Sequence, residues 1–325
     1  MNGDKHMPHA ESAAHPLAHP PASTIKPPLT STDDSGSAPN NGAHPATIGS
    51  QRRRQPRVEQ RHLDAIAGSL SPRDWSIIRL IAEHRFMTVR QVESLCFSQH
   101  SQTSGSRIAR RTLARLRGYQ LLGTLSQRVG GHRSGSDGLV HYVAAPGLRL
   151  LDVPSGRHGG FTEPSARFLA HRLAITDARI ALIEADRVAA VELITSAVEP
   201  AAWRKYVGIG AARRALKPDL TAETATGDWV HAWFIEIDLG SESIPTLLTK
   251  CRQYEAYRKS GIEQEQHGSF PVVIWSMAHR DPATATRRRA ALAAAIAADR
   301  SLPAALFRIV APDELVALIE HGGDQ

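Results

Sequence analysis

Three acidic side chains at the ends of two apolar, strand-like segments have the clearest chemical potential in this chain. Asp219 ends Lys217-Pro218-Asp219, and Glu236 and Asp238 end the apolar run that starts at Trp233. Side chains alternate along a strand, so Glu236 and Asp238 share one face. Buried carboxylates repel each other unless a cation lies between them. We therefore predict that Asp219, Glu236 and Asp238 ligate Mg²⁺ or Mn²⁺ and act on a phosphodiester.

A lysine on the next predicted helix could complete this chemistry. Lys250 precedes Tyr254 by one helical turn, so the two side chains share a helix face. If that face packs over the end of the strand, the ammonium reaches the carboxylates. Two interpretations stay open: Lys250 is a catalytic residue near the scissile phosphate, or it forms a structural ion pair with Glu236 or Asp238.

The elements around these residues alternate between strand and helix. A long apolar-patterned helix is predicted over residues 165–186, and the order that follows is typical of an α/β sandwich. The predicted strands are 190–196, 216–223, 230–239, 270–277 and 305–310, and the predicted helices are 244–259 and 284–299.

The preceding part of the chain is strongly basic. Residues 71–135 contain eleven arginines and three acidic residues, a local charge of +8 (11 − 3), whereas the whole chain carries +7. Ser71-Pro72 predicts a helix start, with the helix ending near Arg85. Thr88 predicts a second start and Ser106 a third. Strands are predicted at 121–128 and 139–144, joined by a Gly-rich loop.

Three helices followed by a hairpin are the order of a winged helix-turn-helix. In that architecture the third helix enters the major groove and the hairpin touches the DNA backbone or minor groove. An alternative is that the basic face only keeps the protein in solution. The predicted DNA-binding residues are Arg107, Arg110, Arg111, Arg115 and Arg117 on the helix, and Arg128, His132 and Arg133 on the hairpin.

Length and composition indicate the number of domains and the cellular location. The 325 residues allow two domains. We predict a disordered basic and Pro-rich tail (1–68), a DNA-binding domain (69–152), a linker (153–164) and a second domain (165–320). No secretory signal or long apolar segment is evident, which predicts a cytoplasmic protein, associated with the nucleoid or a plasmid, without a membrane partner. Cys96 and Cys251 lie too far apart in sequence to suggest a disulfide framework.

The second domain resembles the PD-(D/E)xK nuclease superfamily. Pro218-Asp219 matches its first element and Glu236-Ile237-Asp238 its second, and the resemblance covers roughly residues 165–310. It implies a fold with an N-terminal winged helix-turn-helix followed by a restriction-endonuclease-like α/β domain. The position of the superfamily's lysine is Asp238 here, which favours an inactive domain. Some members have moved this lysine to the following helix, where Lys250 stands.

Over residues 70–320 the chain is similar to the bacterial replication-relaxation family. The basic first domain, Lys217-Pro218-Asp219, the run Phe234–Ser243 and His171–Asp177 carry the resemblance. It implies a protein of plasmids or integrative and conjugative elements, implicated in replication and DNA relaxation. The partners implied are double-stranded DNA, other replication or transfer proteins and a second copy in a homodimer.

Three functions follow from these observations. The first is a DNA-binding protein of a mobile element whose nuclease-like domain is a binding or assembly module without a cofactor. The second is an Mg²⁺-dependent endonuclease or nickase that uses Asp219, Glu236 and Lys250. The third is a dimeric transcription regulator that reads half-sites one DNA turn apart. No Walker loop, relaxase signature or Ser/His/Asp spacing is present in the sequence.

Overall fold

The computed structural model describes residues 59–128, 138–153, 161–208 and 212–323. Its first helix, α1 (Gln60–Ser69), lies in the segment that the sequence analysis assigned to the tail, and that assignment is wrong for residues 60–68. Helix α1 buries only Leu63 and Ile66, so its apolar stripe is too narrow to stand out in the sequence. The rest of the predicted tail lies outside the described residues.

Capping residues fix the next two helices where the sequence predicts them. Helix α2 (Pro72–His84) follows Ser71, whose hydroxyl accepts from the amide of Asp74 at 3.2 Å while the Asp74 carboxylate accepts from the amide of Ser71 at 2.9 Å. The same reciprocal box links Thr88 and Gln91 at the start of α3 (Val89–Cys96). Each box satisfies amides that a helix start leaves without partners.

The basic helix and the hairpin complete the N-terminal part. Helix α4 (Gln102–Gly118) starts one turn before the predicted Ser106, and Gly105 is buried in its first turn. The short β1 (Met87–Thr88) pairs with β3 (Leu139–Val143), which also pairs with β2 (Leu122–Arg128), giving the order β1-β3-β2. The winged-helix interpretation of these elements stays a prediction.

The C-terminal part follows the predicted alternation, with additional short elements. The predicted strand 216–223 is two strands, because Pro218 has no amide hydrogen to donate to a ladder. The elements are α5 (Ala145–Leu150), α6 (Ala166–Arg187), β4 (Glu192–Val198), β5 (Arg204–Val207), β6 (Arg213–Leu216), β7 (Leu220–Thr226), β8 (Trp229–Asp238), α7 (Ile244–Arg258), α8 (Ile262–His267), β9 (Val272–Met277), α9 (Pro282–Ala298), β10 (Phe307–Val310) and α10 (Leu315–Glu320).

A five-stranded mixed sheet forms the centre of an α/β fold. Its order is β10-β9-β8-β7-β4; β8, β9 and β10 run parallel, while β7 is antiparallel to both β8 and β4. On β8, Ile235 and its neighbours on one face pack against Ile175 of α6. Phe234 on the other face packs against Leu247 of α7 and Leu292 of α9. The sandwich predicted from the sequence is confirmed.

Helix α6 also packs on the N-terminal elements through a buried polar network. His84 is fully buried: its Nε2 accepts from Arg179 at 3.1 Å, so its Nδ1 carries the hydrogen and donates to the Thr176 hydroxyl at 2.9 Å. Arg172, also buried, donates to the His84 carbonyl at 3.1 Å and forms an ion pair with Glu199. The described residues consequently belong to one compact unit; the predicted domain boundaries inside it stay a prediction.

Within the described ranges, none of the helices is both long enough and apolar enough to cross a membrane. The longest, α6, has 22 residues but carries its buried arginine and further charges along its length.

The buried histidine predicts how stability depends on pH. Burial, together with the charges of Arg179 and Arg172, lowers the pKa of His84 to about 3, whereas a histidine in the unfolded chain titrates near about 6.5. The unfolded state therefore takes up a proton that the folded state excludes. We expect the free energy of unfolding to fall by about 1.4 kcal/mol per pH unit from this residue as the pH drops from about 6 to about 4. His141, whose pKa burial lowers to about 4, acts in the same direction.

Urea denaturation at several pH values measures this dependence. His84→Gln removes the titrating ring and should flatten the curve, while His62→Gln, at an exposed position of α1, should leave it unchanged. An unaltered slope in His84→Gln would contradict the assignment.

Candidate functional site

Strand β8 places two carboxylates on the face that packs against α7 and α9. Glu236 and Asp238 follow Phe234 at alternate positions and are 1% and 3% exposed, respectively. The expected shared face is confirmed by their partners, which lie on those two helices. Two charges buried this deeply need partners of opposite sign.

Glu236 is held by two side chains of α7. Lys250 forms an ion pair with one carboxylate oxygen, and the buried Tyr254 hydroxyl donates to the other. Burial raises the pKa of Glu236 and the nearby Asp219 adds to this, while the ion pair with Lys250 and the hydrogen bond from Tyr254 oppose it. Burial alone would lower the pKa of Lys250, but the carboxylates of Glu236 and Asp219 outweigh it and keep that pKa above its usual value.

Asp238 has a separate partner on α9. Its Oδ2 accepts from Arg288 Nη2 at 2.7 Å and its Oδ1 accepts from the Gly240 amide at 3.0 Å. The same Arg288 nitrogen donates to the Glu242 carbonyl at 2.8 Å, so the guanidinium also fixes the loop after β8. Asp238 therefore takes part in a structural ion pair, but its cation is Arg288 and not Lys250, the partner that the sequence analysis considered.

Asp219 stands just before β7 and joins α6 to β8. Its Oδ2 accepts from the Ile237 amide at 2.9 Å, and its Oδ1 lies 3.3 Å from Nε2 of His171. Burial alone would raise the pKa of Asp219, but the hydrogen bond from His171 and the charge of Lys250 hold it below its usual value. Burial would conversely lower the pKa of His171, and Asp219 raises it above its usual range.

These residues line one open pocket of about 330 Å³. Asp219, Glu236 and Lys250, which the sequence predicts as a site, lie together there. Asp238 lines the pocket too, although its carboxylate is paired with Arg288. The other lining residues are Ser165, Arg167, Phe168, His171, Ile237, Ser241, Glu242, Leu247 and Trp275.

The donor set does not fit the predicted cage for Mg²⁺ or Mn²⁺. In the part of the chain that the structure describes, no group of three or more His, Cys, Asp or Glu side chains could hold a metal ion. Both oxygens of Glu236 and both of Asp238 already accept hydrogen bonds from the protein. Asp219, Glu236 and Asp238 are thus satisfied internally instead of facing one ion.

The arginines of α4 fall into two groups. Arg107, Arg110 and Arg111 are exposed. Arg115 instead forms an ion pair with the buried Asp74 at 2.6 Å, which ties the end of α4 to the start of α2. Arg117 is half-buried.

The predicted hairpin contacts are only partly covered by the structure. Arg128 is the last residue of β2, and nothing is described of its side chain. His132 and Arg133 lie outside the described residues. DNA contact by all three stays a prediction.

Two residues of the site were missed as partners in the sequence analysis. His171 was noted only as part of a family-like segment, although its position on the long helix just before the buried Arg172 places it beside Asp219. Arg288 gave no usable signal, since it lies in the run Arg287-Arg288-Arg289 and only the packing of α9 distinguishes it from its neighbours.

The family model described as Replication-relaxation matches residues 78–273, more than half of the chain, and covers α4, α7 and every lining residue of the pocket except Trp275. No curated protein and no solved structure matches the chain.

The Asp238–Arg288 pair yields a prediction about stability. Arg288→Ala leaves a buried carboxylate without its cation and should lower the free energy of unfolding by about 3 kcal/mol. Arg287→Ala, one residue earlier on the exposed face of α9, should change it by less than about 0.5 kcal/mol. Urea denaturation at neutral pH measures both. If both variants lower the free energy of unfolding by the same small amount, the ion pair with Arg288 does not stabilise the buried Asp238.

Proposed function

The chain belongs to the replication-relaxation family, and from that premise we propose that it is a DNA-binding protein of a plasmid or other mobile element. It acts in replication or relaxation of that element and binds double-stranded DNA through α4. The observation that carries this proposal is the pair of exposed arginines, Arg107 and Arg111, on the outer face of that helix.

Spacing and charge both suit a DNA groove. Arg107 and Arg111 lie one helical turn apart and so project from the same side of α4. Among the described residues neither forms an ion pair with a carboxylate, in contrast to Arg115. Helix α4 has 17 residues, about 25 Å, which is long enough to lie across the major groove. Arg110, whose guanidinium donates to Ser106, extends this basic face.

The order of elements supports a winged helix-turn-helix as the DNA-binding part. In this proposal α3 and α4 form the helix-turn-helix, and β2 and β3 form the wing. Arg128, His132 and Arg133 then contact the DNA backbone or minor groove from the wing. Arg115 and Arg117 contribute less than predicted, since Arg115 is paired with Asp74 and Arg117 is half-buried.

The second half serves as a binding or assembly module in this proposal. Lys250 and Arg288 form ion pairs with its acidic residues and Tyr254 donates a hydrogen bond to Glu236, which favours a structural use of the pocket. The protein would be associated with the plasmid or nucleoid, together with other replication or transfer proteins. Assembly as a homodimer and the regulator alternative stay predictions.

A second candidate function, cleavage of a DNA strand, is favoured by one observation. Asp219, Glu236 and Lys250 lie in a single open pocket, which matches the PD-(D/E)xK resemblance with a relocated lysine. The ammonium of Lys250 could there neutralise a phosphate at the pocket mouth, once it exchanges its partner Glu236 for the substrate.

DNA binding through α4 is tested by removing its two exposed arginines. Arg107→Ala/Arg111→Ala should weaken binding to a labelled duplex and reduce the slope of log K against log[KCl] by about 2, since each phosphate contact contributes about 0.9. Fluorescence anisotropy at several KCl concentrations measures this.

The matched control removes two exposed arginines elsewhere, Arg61→Ala/Arg300→Ala. It should keep the wild-type slope. Equal slopes for wild type and both variants would contradict the assignment of α4.

The two candidate functions are separated on supercoiled plasmid in the presence of Mg²⁺ or Mn²⁺. For a binding module we expect a mobility shift without nicking, both in the wild type and in Asp219→Asn. Nicking by the wild type that is lost in both Asp219→Asn and Lys250→Met would establish the second candidate. Thermal unfolding of each variant checks that the nicking activity is not lost because the variant is unfolded.

A further inference from the structure

A basic β-hairpin that no sequence pattern singled out lies next to the acidic pocket. Strands β5 and β6 pair in antiparallel register, from Arg204 opposite Leu216 to Val207 opposite Arg213. Directly opposed residues share a face, so the alternation divides the hairpin into two surfaces. The inner face carries Arg204, Tyr206, Arg214 and Leu216, and the outer face carries Lys205, Val207, Arg213 and Ala215.

The inner face anchors the hairpin to α7 and its neighbour α8. Leu216 is buried in the same cluster as Leu247. The ring of Tyr206 lies 4.8 Å from that of Tyr257, and Arg204 Nε donates to Glu263 at 2.7 Å. The hairpin is therefore fixed on the helix that carries Lys250.

The outer face is exposed and positively charged. Lys205 and Arg213 are exposed, and between them Val207 is 61% exposed. Lys217 continues the same side beyond β6, with its ammonium 4.6 Å from the ring centre of Trp203. Among the described residues none of these three cations forms an ion pair with a carboxylate, and the two strands contain no acidic residue.

This basic face leads directly to the pocket. Lys217 is two residues from Asp219, so their Cα atoms are at most about 7 Å apart. Arg167 lines the pocket as well and adds a positive charge from α6. A polyanion lying along the hairpin would reach the pocket beside Asp219 and Lys250.

We propose that the outer face of the β5–β6 hairpin is a second nucleic-acid contact, which binds the phosphate backbone of a DNA strand next to the acidic pocket. Unpaired Lys and Arg side chains around an exposed aliphatic residue fit a phosphate backbone by charge, without reading bases. The inference rests on the proposed function, because it adds a second contact to the DNA that α4 binds.

The test compares double variants that each remove two positive charges. Lys205→Ala/Arg213→Ala is measured beside Arg107→Ala/Arg111→Ala and the control Arg61→Ala/Arg300→Ala, by anisotropy with a labelled duplex over a range of KCl concentrations. Because both hairpin side chains point to solvent, the fold should be kept, and circular dichroism checks this. We expect affinity to fall about tenfold or more at about 100 mM KCl and the salt slope to fall by about 2.

A charge-preserving variant separates charge from shape. Lys205→Arg/Arg213→Lys should keep the wild-type salt slope. If Lys205→Ala/Arg213→Ala keeps the wild-type slope and affinity while the α4 variant still binds more weakly, the hairpin contact is overturned. The proposed function then still stands. No binding of the wild-type protein to any duplex would overturn the proposed function itself. Loss of affinity for poly-glutamate alone, without loss for DNA, would assign the hairpin to an acidic protein and also overturn the inference.

Discussion

Burial of two carboxylates at the end of the central strand is the constraint on which the second half of this protein depends. Glu236 and Asp238 are almost completely removed from solvent, and charge at such depth is unfavourable unless donors surround it. Helix α7 supplies Lys250 and Tyr254, and α9 supplies Arg288. The two helices are thus held on the sheet by polar partners as well as by their apolar faces. This arrangement determines where the pocket lies.

The same physical problem is solved a second time where α6 meets the N-terminal elements. A buried arginine pairs with Glu199, and a neutral histidine is kept in one tautomer by Arg179 and Thr176. Such networks are costly when one member is missing, so they favour a single arrangement of the parts they join. Helix α6 contributes to both networks through Arg172 and His171, and this links the N-terminal elements to the acidic pocket.

The proposed function uses surfaces that these networks leave free. The internal partners hold the carboxylates of the pocket. Among the described residues, by contrast, the exposed Arg107 and Arg111 of α4 and Lys205 and Arg213 of the β5–β6 hairpin form no ion pair with a carboxylate. A protein that binds a polyanion needs such unpaired cations on a firm support. Such cations are available here on firm supports, since α4 is packed against α3 and the hairpin is anchored on α7.

The sequence by itself determined the elements that depend on local rules. Caps at Ser71 and Thr88, the apolar run before Glu236 and the helix bearing Lys250 are readable because capping and side-chain periodicity act over a few residues. It also brought Asp219, Glu236 and Lys250 into one site, since strand ends and a helix face restrict where they can go. Only the tertiary structure decided that Arg288 forms an ion pair with Asp238 and that Arg115 forms one with Asp74. It also decided that Lys205 and Arg213 share the outer face of the hairpin. Partners distant in sequence are chosen by packing and desolvation, and a run of arginines does not show which of them will be buried.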